Sequence, residues 1–132
     1  MPYHGTNTES AKKIMEEGLI PQESEFSRHF ELPPVSFATE DLREALEEYA
    51  IEEWYNEKNP AVIQISDDFP GLDTDVTGRW KLYDKTIPPE YLKLLWENEE
   101  IPPSGDELSV EFDHWNKIIE EVIRRHENDE SF

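Results

Sequence analysis

Few residues in this chain have the types and spacing that chemistry needs. There is no cysteine, which removes thiolate nucleophiles, disulfides and Cys-based zinc sites together. The histidines are His4, His29, His114 and His126, and no two of them have metal-ligand spacing. No glycine-rich phosphate loop and no nucleophile elbow is present. Carboxylate pairs occur throughout the chain, so they single out no site. What remains is His4-Gly5-Thr6 near the start, Arg28-His29 in a polar stretch, and Asp73, Asp75 and Arg79 later on. Taken alone, His4 beside a turn is an ordinary structural position and Gly5 an ordinary turn glycine.

The elements that must position these residues can be read from spacing. Pro2 to His4 reads as a short strand. Thr6 to Glu9 has the S/T-x-x-E form of a capping box. Ala11, Ile14 and Met15 then share a helical face, and Gly18 stands where a helix ends. The polar run from Gln22 to Pro34 is a loop ending in a proline pair. Val35 to Ala38 is extended, Thr39 is placed to cap a second helix, and Asp41 lies near its positive end. Leu42, Ala45, Leu46, Tyr49 and Ala50 form its apolar stripe, with Glu52 largely off it. Core packing is therefore the default role of Tyr49. Ala61 to Ile65 is a strand, and Trp80 to Tyr83 and Thr86-Ile87 are further extended segments. Tyr91 to Trp96 is too short for periodicity to choose between strand and helix. After a Pro/Gly loop over 97–106, Leu108, Phe112, Trp115, Ile119 and Val122 trace an amphipathic helix over 107–126. Arg124 and Arg125 stand near its C-terminus, where positive charge is favoured.

Three blocks and their order carry a resemblance. Tyr3-His4-Gly5-Thr6, with Ala11, Ile14 and Gly18-Leu19 behind it, resembles the opening of the ADP-ribosyltransferase superfamily. That group includes the poly(ADP-ribose) polymerases and the RNA 2′-phosphotransferases. Pro34 to Thr39, followed by Ala45 and Tyr49, is similar to the family's second block. Ala61 to Ile65, Trp80 to Tyr83 and Ile87-Pro88-Pro89 resemble its later strands. The likeness spans about residues 2 to 96. It implies an α+β fold with a split, twisted β-sheet, two early helices and the C-terminal amphipathic helix packed outside.

The resemblance also implies NAD as the substrate. Breaking its nicotinamide–ribose bond develops an oxocarbenium-like charge, as in glycoside cleavage. The protein must orient the dinucleotide and stabilise that charge. On this reading His4 bonds a ribose hydroxyl and the Gly5 backbone holds the carboxamide. Thr6 supports the turn, and Ser36 with Tyr49 lines the nicotinamide pocket. Arg28, in the covering loop, faces the pyrophosphate. The chain departs from the family in two places. Ser36 stands where polymerase members have a stacking tyrosine. No glutamate lies between Lys58 and Glu90, where the family has its catalytic one, so Asp75 or Arg79 takes that place.

Bulk composition bounds these readings. The chain has 132 residues, which suits one domain that hides roughly two-thirds of its unfolded surface. Four Trp, five Tyr and six Phe supply a core and argue against disorder. No apolar run approaches the roughly 18 residues that span a bilayer. The N-terminus lacks the apolar region of a signal peptide. The expectation is a soluble, cytoplasmic protein with no membrane partner. Thirty-two acidic residues against twelve basic ones give a net charge of −20, which repels phosphate backbones. An acceptor is then a protein or small molecule rather than a nucleic acid. Alternatives stay open: a catalytically silent binding module of the same fold, or an acidic decoy for a basic partner. The charge also fits a plain solvated or salt-adapted surface, although Glu outnumbers Asp.

Overall fold

The computed structural model describes residues 2–22, 28, 29, 31, 33–55, 58–70, 80–98 and 108–126. The chain is α+β, with a five-stranded antiparallel sheet and three helices among these residues. Strand β1, Tyr3–Asn7, leads into helix α1, Thr8–Glu17. Strand β2, Ser36–Thr39, leads into helix α2. Helix α2 has three parts: an α turn Leu42–Glu44, a π segment Ala45–Ala50 and an α segment Ile51–Tyr55. Then come β3, Pro60–Ile65, and β4, Trp80–Tyr83. A 3₁₀ turn, Pro89–Tyr91, opens β5, Leu92–Glu97, and α3 is Leu108–His126. The strand order is β4-β2-β1-β3-β5.

Local chemistry sets the element ends. The first helix is capped one residue later than the Thr6 box predicts. Asn7 Oδ1 accepts the Ser10 N–H at 2.8 Å, because β1 runs on through Gly5 and Thr6 to pair with β3. At the other end Gly18 has φ 94° and ψ 167°, a region that essentially only glycine occupies. Leu19 then exchanges two 2.9 Å backbone bonds with Ile87, which ties the exit of α1 to the approach to β5. The second helix likewise starts beyond Thr39. Asp41 caps it by accepting from the Arg43 N–H at 3.0 Å, while Thr39 Oγ1 accepts from the Asp41 N–H at 3.2 Å. The ambiguous run after Pro88-Pro89 is a strand, because its backbone pairs along the length of β3.

Helices cover both faces of the sheet. Ala61, Ile63 and Ile65 of β3 meet Ala11 of α1, with Leu19, Ile87 and Leu92 around them. Val62 points the opposite way, into Ala45, Leu46 and Ala50 of α2 and Trp115, Ile119 and Val122 of α3. Alternation of side chains along a strand produces this division. With helices on both sides, β3 is apolar on both faces from Ala61 to Ile63 rather than alternating, and Gln64 is its one polar side chain, itself buried. Each fully buried Leu, Ile or Val here contributes about 1.5–3 kcal/mol. Arg43 spans the helix pair, bonding Glu47 of α2 at 3.2 Å and Glu120 of α3 at 2.6 Å. No helix among the described residues is long and apolar enough to cross a membrane.

Candidate functional site

The joint between β1 and β2 organises the site. These strands are register partners at one position, Tyr3 with Thr39, whereas β1 and β3 pair along five positions. Backbone direction follows from two neighbouring bonds. The Ile65 N–H donates to the Pro2 carbonyl at 2.9 Å, and the Thr8 N–H donates to the Asn59 carbonyl at 2.8 Å. Even-numbered residues of β1 therefore direct their backbone groups toward β3, and Tyr3, Gly5 and Asn7 direct theirs toward β2. Past the Tyr3–Thr39 rung, the Gly5 N–H and C=O face the opening between the strands.

His4 bridges that opening. Its Nδ1 lies 2.9 Å from the Phe37 carbonyl oxygen. A carbonyl can only accept, so Nδ1 carries the proton and the neutral ring keeps Nε2 as an acceptor. The ring is held below the ordinary histidine pKa chiefly by burial, opposed by the Phe37 bond and the charge of Glu53. The unfolded chain takes up a proton near pH 6.5 that the native site resists, so this residue's contribution to stability falls as pH drops below 6.5 toward the folded value. The loss is at most about 1.4 kcal/mol per pH unit. Comparing urea midpoints of the wild type and His4→Asn between pH 7.5 and 5.5 should show the steeper acid loss in the wild type. Parallel curves would mean that His4 titrates as freely folded as unfolded.

Two cavities flank the bridge, and both His4 and Phe37 line each of them. The larger, about 440 Å³, lies on the α1 side and includes Thr6, Ser10, Lys13 and Ser36. The smaller, about 210 Å³, lies on the α2 side, with Tyr3, Gly5, Thr39, Tyr49, Glu52 and Glu53 in its wall. Tyr49 meets the Phe37 ring edge-to-face at 5.7 Å, and Phe37 in turn stacks obliquely on Trp80 at 6.2 Å. Trp80 is anchored by its indole N–H to Glu44 Oε1 at 3.1 Å. The Asn7 amide donates to Glu53 Oε2 at 3.4 Å. Burial, then the charge of Asp67, raises the pKa of Tyr3, so its hydroxyl stays protonated across the neutral range.

The structure thus brings His4, Gly5 and Tyr49 to one cavity and His4, Thr6 and Ser36 to the other. Ser36 and Tyr49 are not brought together. Side chains alternate along β2, so Ser36 faces α1 while Phe37 turns toward Tyr49. Arg28 is exposed and is not among the described residues lining either cavity. Arg79 and Asp75 lie outside the described residues. Gly5 has a packing reason to be glycine: a Cβ there would stand 2.6 Å from the Ala45 carbonyl oxygen and from Tyr49 Cβ. The close approach it permits is that of α2. Sequence reasoning singled out neither Glu53 nor Glu52 and set Glu52 off the stripe that carries Tyr49, whereas the structure puts both in the same cavity wall as Tyr49. Their signal was the three- and four-residue spacing from Tyr49, which sets them on its side of the helix. Among the described residues no group of three His, Asp or Glu is arranged to hold a metal ion. In comparisons with known proteins, no family model, no curated protein and no solved structure matches this chain.

Proposed function

We propose that this chain binds NAD and acts as a mono-ADP-ribosyltransferase-like protein, breaking the nicotinamide–ribose bond and passing ADP-ribose to an acceptor. The observation that carries this reading is the single-rung joint between β1 and β2. There a neutral His4 keeps Nε2 as an acceptor for a ribose hydroxyl, and the adjoining Gly5 backbone edge suits a carboxamide, which needs one donor and one acceptor. The nicotinamide ring would sit in the smaller cavity against Phe37 and Tyr49. The rest of the dinucleotide would cross the joint into the larger one, where Ser10 and Lys13 suit a diphosphate. A cavity of 440 Å³ falls within the usual range for small-molecule sites. Asp75 or Arg79 would stand in for the family's acid. The acceptor would be a protein or small molecule, since a charge of −20 disfavours nucleic acid.

A second reading keeps the binding and drops the chemistry. It is favoured by the lack of any glutamate between Lys58 and Glu90. Calorimetric titration of NAD into the wild type and His4→Ala tests the shared part. Saturable binding that the substitution weakens by about tenfold or more is expected, since one hydrogen bond at a buried polar site is worth about 1–2 kcal/mol. Flat heats up to millimolar NAD would reject both readings. Release of nicotinamide by the wild type separates the enzyme from the silent module.

A further inference from the structure

We propose that the smaller cavity is a receptor for a flat organic cation the size of one substituted ring. Four observations converge there. Three aromatic residues, Tyr3, Phe37 and Tyr49, stand in its wall, and aromatic faces attract cations through the ring quadrupole. The Glu53 carboxylate is half-buried in the same wall, with a long 3.4 Å bond from the neutral Asn7 amide. No lysine or arginine is among the described residues lining the cavity, whereas Lys13 lines the cavity on the other face of the sheet. The volume of about 210 Å³ suits a single substituted ring.

Charge sets the preference between ligands of one shape. A carboxylate partly removed from water interacts more strongly with an ion than an exposed one does. The surrounding field of a −20 chain adds to the attraction at long range. A neutral ring of the same outline would keep the aromatic contact and lose both electrostatic contributions. The cavity is therefore selective for charge as well as shape. The inference rests on the reading that seats the nicotinamide ring in this cavity, but the walls that supply the selectivity all lie on the α2 side of the joint, so it can hold for a single ring without the dinucleotide.

The test uses two probes of nearly the same shape, the 1-methylnicotinamide cation and neutral nicotinamide, titrated into the full chain by calorimetry. The cation should bind saturably and about tenfold more tightly than the neutral amide. Glu53→Gln should remove most of that preference by weakening the cation and leaving nicotinamide unchanged, with the urea midpoint checked for folding. Equal affinities in the wild type, or no saturable cation binding at tens of millimolar, would overturn the proposal without reference to any variant. Unaltered cation affinity in a folded Glu53→Gln protein would overturn it as well. Cation binding together with flat NAD heats would uphold this inference and reject the NAD reading, so the two can fail separately.

Discussion

Gly5→Ala is expected to lower the stability of the fold by about 3 kcal/mol, at the upper end of overpacking costs. The added Cβ would lie 2.6 Å from the Ala45 carbonyl oxygen, 2.6 Å from Tyr49 Cβ and 2.8 Å from the Ala50 nitrogen. Two of these are backbone atoms of α2 and the third is bonded directly to its backbone, so no side-chain rotation relieves the clash. Strand β1 cannot retreat either, since β3 pairs along its whole length. The helix must move off the sheet, taking the wall of the smaller cavity with it. A urea midpoint that falls with the slope unchanged would report this loss as one of stability. A variant as stable as the wild type would mean that α2 rides further from β1 than these distances say.

Trp115→Ala is expected to cost about 3–5 kcal/mol, the usual penalty for emptying a large aromatic site. Trp115 is 3% exposed and packs edge-to-face on Trp54 of α2 at 5.6 Å. Ile119 and Val122 continue the same buried stripe. Removing the indole leaves a void where α3 meets α2, and the exposed Arg43 pairs across that seam are too solvated to compensate. The indole N–H adds a second expectation. It is buried and meets no acceptor among the described residues, an arrangement that costs about 1–3 kcal/mol. Trp115→Phe gives up some packing and also removes the orphaned donor. It should therefore fall well short of the alanine loss, and thermal unfolding of the two variants side by side measures the difference. Equal losses would mean that a phenyl ring recovers none of the indole's packing against Trp54.

Sequence periodicity reads the helices well because each carries a full apolar stripe. Ala11 on α1, Leu46 on α2 and Trp115 with Ile119 on α3 are all buried where their spacing says. The sheet is harder. Its strands are four to six residues long, and nothing in so short a run says which neighbour it pairs with. The site suffers most from this. A one-residue change in where β2 begins exchanges the faces of Ser36 and Phe37, and so decides which of them can meet Tyr49. The run to Asn7 in β1 is equally hidden. Thr6 reads as a helix cap, while pairing with Ala61 of β3 keeps it in the strand. Glu53 was legible only as one glutamate among many, because the amide that meets it, on Asn7, is 46 residues away.

The π segment gives the site an unusual tolerance of chain length. The Ile51 N–H reaches back five residues to the Leu46 carbonyl, so this stretch holds one residue more than ordinary helical winding would use. A chain shorter by a single residue between Ala45 and Ala50 could wind as plain α-helix. The surplus residue alone would be lost from the wide turn, so everything after the deletion would keep its face, with Glu52 and Glu53 still in the cavity wall and Trp54 still on Trp115. In descent, then, this stretch can gain or lose one codon and still present the same carboxylates to the cavity, because the wide turn takes up the difference in local winding alone.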